Sequence, residues 1–242
     1  MSDYRNDLYD KYVSSHIGAE RIASAEDLAP RRSYLVKLIR DHFPADRDAK
    51  ILDLGCGHGA IVYFARQAGY RHCSGVDVSQ QQVDAARAMG IDGVTQADVK
   101  TTLMQTDANS QNMVITFDVI EHLTKSELLA LADEVLRVLR LGGRWLIHAP
   151  NGASPFFGAV RYGDYTHEQA FTPGSIKQLA LARGFAGVDC FEDAPTPHGL
   201  KSSVRWLLWK AIRTAWSAIS IVETGTAAGK VFSQNFLVVV RR

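Results

Sequence analysis

The sequence is poor in cysteine, has almost no net charge, and begins without a long apolar stretch. Its three cysteines, Cys56, Cys73 and Cys190, are widely spaced and form no CxxC pair, so we expect reduced thiols and neither a disulfide framework nor a zinc site. Lys and Arg number 27 against 26 Asp and Glu, which disfavours nucleic acid as the main partner. The first residues lack an apolar signal core, so we expect a cytoplasmic protein.

The 242 residues are enough for one substantial core with an appended element. Residues 1–48 are predicted to form a helical cap, because Tyr34, Leu35, Leu38, Ile39 and Phe43 recur at helical spacing. From residue 49 to residue 242, strand-like and helix-like segments alternate, which predicts a mostly parallel α/β sheet with helices on both faces. Ligands of such sheets bind at the carboxyl ends of the strands.

Several helix boundaries carry their own signals. Thr124 and Glu127 are spaced as a capping box at a helix start, and Thr172 with Pro173 marks another start. A Gly-Gly pair at 142–143 predicts the end of the helix that Thr124 begins.

The most informative segment is ILDLGCGHGAIVYFARQAG, residues 51–69. It predicts a buried strand, a turn containing Gly55, Gly57 and Gly59, and a helix. Such a turn lets backbone N–H groups approach a ligand closely. Asp53 at the strand end would repel a pyrophosphate, whereas a ligand with an ammonium group would gain a charge-assisted hydrogen bond.

Two further acids follow the next two predicted strands. Asp77 can accept hydrogen bonds from both hydroxyls of a ribose, and Asp98 suits the exocyclic amine of an adenine. The glycines alone also satisfy a dinucleotide pattern, which leaves a nicotinamide- or flavin-dependent oxidoreductase open. The three acids together favour S-adenosylmethionine, which has an ammonium, a ribose and an adenine but no phosphate.

With DLGCGHG, GVDVS, QADV and NMVITFDVIEHL, the chain resembles the class I S-adenosylmethionine-dependent methyltransferases over residues 50–150. The resemblance implies a Rossmann-like, doubly wound sheet of seven strands with S-adenosylmethionine as cofactor. It also implies that Asp53 holds the amino group of the cofactor, Asp77 its ribose, and Asp98 its adenine. The full set of expected cofactor contacts is Asp53, Gly55, Cys56, Gly57, Gly59, Asp77, Val78, Asp98, Val99, Thr116 and Phe117.

An acceptor loop is predicted at residues 150–173, because this segment is long, aperiodic and rich in aromatic residues. Aromatic faces beside hydrogen-bonding groups suit a sugar or another polar ring, and the expected acceptor contacts are Arg161, Tyr162, Tyr165 and Glu168.

An alcohol acceptor also needs a base. We expect His167, oriented by Asp164 or Glu168, as the first candidate and His122 as the second. Either histidine could instead simply order a loop. A divalent metal held by Asp164, His167 and Glu168 is a less favoured alternative, and we expect no metal.

Residues 198–225 are predicted to form a hydrophobic helical insertion, with Trp206, Trp209 and Trp216 among aliphatic residues and cations. These cations make a membrane-spanning helix unfavourable. The helix is expected either to pack against the domain or a second subunit, or to lie on the inner face of a membrane through residues 200–222.

The loop and this insertion together resemble bacterial methyltransferases of surface-polysaccharide or lipid-linked sugar synthesis, which implies a sugar hydroxyl as acceptor. The Glu121–His122 pair is also similar to ubiquinone-pathway O-methyltransferases, where the acceptor is a phenol. O- or N-methylation of another small molecule, and a binding protein without activity, stay open.

Overall fold

The computed structural model describes residues 24–242 except residue 228. A seven-stranded sheet has the order β3-β2-β1-β4-β5-β7-β6, in which only β7 runs antiparallel to its neighbours. The strands are β1 (Ile51–Leu54), β2 (Cys73–Asp77), β3 (Val94–Gln96), β4 (Gln111–Phe117), β5 (Leu139–Pro150), β6 (Gly187–Glu192) and β7 (Asn235–Arg241). The fold class predicted from the sequence is confirmed.

Eight α-helices lie within the described residues, and Ile120–His122 forms a short 3-10 turn after β4. The helices are α1 (Ala29–His42), α2 (Ala60–Gln67), α3 (Gln80–Ala88), α4 (Val99–Gln105), α5 (Lys125–Val138), α6 (Phe157–Arg161), α7 (Pro173–Ala182) and α8 (Leu200–Thr224).

The sheet has an apolar core on each face. Strand alternation sends Leu54 and Val114 to one core, which α5 and α7 cover, and sends Ile51 and Ile115 to the other. Helices α1 and α2 cover the second core, where Leu35 of α1 is fully buried. Of the predicted cap, residues 1–23 lie outside the described residues.

The capping predictions were accurate, but the end of α5 was placed too late. Thr124 and Glu127 form the expected capping box, and Thr172 caps α7. However, α5 ends at Val138, and the Gly-Gly pair at 142–143 lies within β5, where the pairing with β4 shifts register. Glycine therefore marks an irregularity of a strand here and not a helix end.

Helix α8 connects the two antiparallel strands β6 and β7 at the edge of the sheet. It is 25 residues long and ends at Gly225, which adopts the left-handed conformation with φ +77°. Among the helices that the structure describes, neither this one nor any other is long and apolar enough to cross a bilayer.

Candidate functional site

Asp53 occupies the third position of β1, an interior strand that lies between β2 and β4. It is 1% exposed, and neither of its carboxylate oxygens has a hydrogen-bond partner among the residues described. Burial, followed by the nearby Asp77, raises the pKa of Asp53 to about 7, although Arg31 opposes that shift. An unpartnered buried carboxylate is unfavourable unless a ligand completes it, so Asp53 indicates a binding site for a cation.

The glycine turn after β1 binds Asp77 through its backbone. The Gly57 N–H donates a 2.8 Å hydrogen bond to Asp77 Oδ2, and the Ser79 N–H donates one of the same length to Oδ1. Gly57 has φ +55°, a conformation that other residues adopt at a cost in stability. The turn and the second acid therefore form one unit at the carboxyl ends of β1 and β2.

Asp98 follows β3 and caps α4. Its Oδ1 accepts a 2.9 Å hydrogen bond from the Thr101 N–H, while the residue as a whole is exposed. Val99 begins α4, and Val78 is 56% exposed beside Asp77. These three residues lie near the carboxyl ends of β2 and β3, where the sequence predicts that the adenine of the cofactor binds. Their contact with a cofactor stays a prediction.

Thr116 and Phe117 point to opposite faces of β4 because they are adjacent in a strand. The Thr116 hydroxyl is fully buried and accepts a 2.9 Å hydrogen bond from the Trp145 indole N–H. Phe117 faces the side of Asp53, where the Arg31 guanidinium carbon lies 6.0 Å from its ring centroid. The Thr116 side chain therefore packs in the core, and contact of Thr116 and Phe117 with a cofactor stays a prediction.

A second polar group lies after β4, where Glu121, His122 and His167 meet. One potential ligand atom from each lies within 4.8 Å of the others, and the two imidazole rings pack edge to face with centroids 4.8 Å apart. The backbone brings them together, since the Glu121 carbonyl accepts hydrogen bonds from the N–H groups of Glu168 and Gln169. The acceptor loop is thereby fastened to the turn that carries His122.

Thr166 connects His122 to Asp164. The Thr166 Oγ1 lies 2.6 Å from Asp164 Oδ1 and 2.8 Å from His122 Nδ1. A carboxylate can only accept, so the hydroxyl donates to Asp164 and accepts from His122 Nδ1–H. The neutral His122 ring consequently has its lone pair on Nε2. Within the described residues the Asp164 carboxylate and His122 thus share the Thr166 hydroxyl. Orientation of His167 by Asp164 or Glu168 stays a prediction.

Burial decides the protonation of this group. Burial, followed by the nearby His167, lowers the pKa of His122, so its ring is neutral at pH 7. Burial, followed by Asp118, raises the pKa of Glu121 to about 8, so this carboxyl retains its proton at neutral pH. Glu121 Oε2 and His167 Nδ1 are both buried and make no hydrogen bond to any described residue. The group thus combines a neutral imidazole, which can accept a proton, with a protonated carboxyl, which can donate one.

The expected acceptor contacts lie on the outer part of the loop. Tyr162 and Tyr165 are 78% and 87% exposed, and the Arg161 guanidinium stacks over the Tyr162 ring. Arg161 also donates a 3.0 Å hydrogen bond to the Glu168 carbonyl. Arg161 therefore orders the loop, and contact between these four side chains and an acceptor stays a prediction.

Residues 51–143 match the family described as "Methyltransferase domain". Over 90% of its length the chain superposes on 97% of a SAM-dependent methyltransferase from Archaeoglobus fulgidus, with a TM-score of 0.67 and 18% identity. The fold is that of S-adenosylmethionine-dependent methyltransferases.

Two further similar proteins add detail. The ubiquinone biosynthesis O-methyltransferase of Rickettsia bellii is 30% identical over 94 residues, 38% of this chain and 39% of that protein. The structure of phosphoethanolamine N-methyltransferase 2 from Haemonchus contortus in complex with S-adenosyl-L-methionine has a TM-score of 0.58 and 17% identity, covering all of this chain and 60% of that one. The chain spans about two fifths of the Rickettsia protein, so its acceptor does not follow from that match.

The match to the methyltransferase domain and the shared fold confirm the enzyme class and the cofactor that were predicted from the sequence. These comparisons give no support to the oxidoreductase alternative. S-adenosylmethionine fits the residues present, because the unpartnered buried carboxylate of Asp53 matches its ammonium group. Asp53 would hold the amino group, Asp77 the ribose, and the turn at residues 55–59 would approach the methionine portion through its backbone. The Cys56 side chain instead packs near Gly75, where a Cβ would lie 2.6 Å from Cys56 Sγ.

Sequence reasoning missed an ion triad around a buried histidine, in which the Asp118 carboxylate is half exposed. His148 Nδ1 lies 2.5 Å from Asp118 Oδ1, and Nε2 lies 3.2 Å from Asp193 Oδ2, while the ring stacks on Phe117 at 4.0 Å between centroids. Burial alone would lower the pKa of His148, but Asp118 and Asp193 outweigh it and raise the pKa to about 10. The sequence offered one signal for this triad, a histidine within an apolar strand that pairs with the strand before Asp118. Asp193 is distant in sequence, so its contact with the histidine could not be predicted.

Proposed function

We propose that this protein transfers the methyl group of S-adenosylmethionine to a hydroxyl oxygen of a sugar in a glycan, glycolipid or polysaccharide precursor. The observation that carries this proposal is the hydrogen-bonded series from Asp164 through Thr166 to His122. A hydroxyl retains its proton at neutral pH, so transfer to oxygen benefits from a positioned base, and a neutral histidine of fixed tautomer supplies one.

The roles of the residues follow from this arrangement. When bound, S-adenosylmethionine supplies an electrophilic methyl group on a sulfonium centre. His122 Nε2 accepts the hydroxyl proton of the acceptor, and the resulting imidazolium is stabilised by Asp164 through the Thr166 hydroxyl. His167 packs against the His122 ring and restricts its orientation. Most of the remaining acceleration comes from holding acceptor and methyl donor in line.

A sugar as acceptor is supported by the loop at residues 150–173. Its exposed rings, Tyr162 and Tyr165, are followed directly by the residues that contact His122, and aromatic faces suit the apolar faces of pyranose rings. We place the acceptor on a lipid carrier at the inner face of a membrane, in keeping with the resemblance to lipid-linked sugar methyltransferases.

A phenol, as in a quinone precursor, is the second candidate acceptor. The pKa of His122 lies below the usual value because the ring is buried, so it is a weak base. A phenol is far more acidic than an aliphatic alcohol, with a pKa near ~10, and needs only a weak base. The similarity to a ubiquinone biosynthesis O-methyltransferase favours the same acceptor.

The test is transfer of a labelled methyl group to a panel of nucleotide sugars, lipid-linked saccharides and phenols. We expect label on a saccharide hydroxyl, and a loss of at least ~100-fold in kcat for His122→Gln. His72→Gln, an exposed histidine at the start of β2, is the matched control and retains full activity.

Other outcomes of this assay contradict parts of the proposal. Label on phenols alone overturns the sugar acceptor. Binding of S-adenosylmethionine without label on any acceptor supports a protein that keeps the fold without activity. Activity that a chelator abolishes and a divalent cation restores makes Glu121, His122 and His167 metal ligands, and then His122 is not the base.

A further inference from the structure

The side of helix α8 that faces the domain consists of tryptophan and polar residues, without Leu, Ile or Val. The residues turned towards the domain are spaced four and three apart, as one helix face requires, and are all buried or half-buried: Ser202, Trp206, Trp209, Arg213, Trp216 and Ser220. A surface helix of a soluble domain normally turns its aliphatic side chains inward.

Polar contacts anchor the inner face. Arg213 Nε lies 3.2 Å from Glu192 Oε1, and its guanidinium carbon lies 5.9 Å from the centroid of the Phe232 ring. Ser202 donates to the Gly199 carbonyl at one end of the helix. These contacts fix which side of α8 faces away from the domain.

The opposite side, which we name the outer face of α8, is aliphatic over the length of the helix, about 37 Å at ~1.5 Å per residue. Its large side chains are between 45% and 88% exposed: Val204, Leu207, Leu208, Ile212, Ile219 and Val222. An apolar surface of this length that no described residue covers indicates an interaction site.

The charges around the outer face indicate what covers it. Lys201, Arg205 and Lys210 are exposed along its margins, and residues 200–222 contain no Asp or Glu. A second copy packed face to face would bring like charges together with no acid in this segment to pair with them. An anionic lipid surface offers both an apolar interior for the aliphatic side chains and phosphates for the cations.

We propose that the outer face of α8 docks this protein onto an anionic lipid bilayer, with the helix lying in the interface. The inference goes beyond the proposed function and does not depend on the acceptor. Docking would place the sheet edge formed by β6 and β7 towards the membrane.

Sedimentation of the full-length protein with vesicles tests this proposal without any measurement of methyl transfer. We expect the protein to sediment with vesicles of phosphatidylcholine and phosphatidylglycerol (3:1) at low salt, and to remain in solution with phosphatidylcholine alone. The variant Leu208→Ser/Ile212→Ser/Ile219→Ser should lose sedimentation. The matched control changes exposed apolar residues elsewhere, Val36→Ser/Leu129→Ser/Leu141→Ser, and should sediment like the natural protein.

Charge reversal gives a second, independent variant. Lys201→Glu/Arg205→Glu/Lys210→Glu should weaken binding on the order of a hundredfold, since each cation near an anionic surface contributes about fivefold. The control Lys100→Glu/Lys125→Glu/Lys177→Glu, with the same change in net charge at exposed positions, should bind far more tightly than that variant. Circular dichroism confirms that each variant is folded.

Three results overturn the proposal. The natural protein stays in solution with anionic vesicles, or the serine variant sediments as well as its control. The third result is that light scattering finds the natural protein as a dimer and the serine variant as a monomer, while neither protein binds vesicles. In that case a second copy of the chain covers the outer face.

Discussion

The hydroxyl of Thr166 lies 2.8 Å from His122 Nδ1, and this contact sets which nitrogen of the imidazole can accept a proton. Thr166 comes from the acceptor loop and His122 from the turn after β4, so the base is complete only when the loop is in place. Substitutions that leave His122 unchanged can therefore test its role.

Thr166→Val removes the hydroxyl and keeps the shape of the side chain. We expect kcat to fall by ~10–100-fold, with little change in S-adenosylmethionine affinity, because the tautomer and orientation of His122 are no longer fixed. The Thr166 hydroxyl accepts a hydrogen bond from His122 Nδ1–H, and such a bond favours the protonated imidazole, so its loss should move the acid limb of the pH–rate profile to lower pH. Thr214→Val, at an exposed position on α8, is the control. An unchanged profile with full activity would contradict the role of Thr166.

Glu121→Gln tests the protonated state of the buried carboxyl. The pKa of Glu121 in the folded protein, about 8, lies above its ordinary value of 4.5, so folding stability falls as pH rises from 4.5 to 8. Glutamine mimics the protonated acid, so we expect most of the activity at pH 7 and a higher free energy of unfolding than the natural protein above pH 8. Activity lost at pH 7 together with a requirement for a divalent cation would instead identify Glu121 as a metal ligand.

His148→Gln should destabilise the fold by ~1–2 kcal/mol at pH 6.5, because Asp118 and Asp193 lose their cationic partner while solvent reaches the half-exposed Asp118 carboxylate. The folded pKa of His148 is raised from 6.5 to about 10, so its contribution is fully present below pH 6.5 and is lost as pH rises towards 10. Urea unfolding at pH 6.5 and pH 9.5 should therefore show a smaller difference at the higher pH. A difference that does not change with pH would contradict a charged His148.

Asp53→Asn should stabilise the ligand-free protein. The pKa of Asp53 rises from 3.8 unfolded to about 7 folded, so its ionisation opposes folding increasingly between pH 4 and pH 7. The gain in free energy of unfolding, on the order of 1–3 kcal/mol, should grow over that range and remain constant above it. Thermal denaturation at several pH values without ligand measures this gain. A less stable variant at pH 7 would mean that Asp53 has a structural partner.

The sequence predicts most of the fold because its signals are local. Alternating strands and helices, the cap at Thr124 and the glycine turn near Asp53 each depend on residues close together in the chain. The end of α5 was misplaced because Gly142 fits a helix end and a strand irregularity equally well. The motif in β4 also does not say which of the adjacent residues Thr116 and Phe117 turns its side chain into the core.

The second half of the site could not be predicted in the same way. His122 and His167 were both candidates, but only the folded loop shows that they touch and that Thr166 connects Asp164 to His122. The inward face of α8 was equally hidden, since the helix period is evident in the sequence but the side that packs is not.

The central claim is that Asp53 holds the amino group of S-adenosylmethionine. Isothermal titration calorimetry of S-adenosylmethionine into the natural protein, Asp53→Asn and the exposed control Asp107→Asn tests it most directly. We predict affinity lower by ~10–100-fold for Asp53→Asn, as expected for the loss of a charge-assisted hydrogen bond, and unchanged for Asp107→Asn. Equal affinity for all three proteins, with Asp53→Asn folded, would contradict the account.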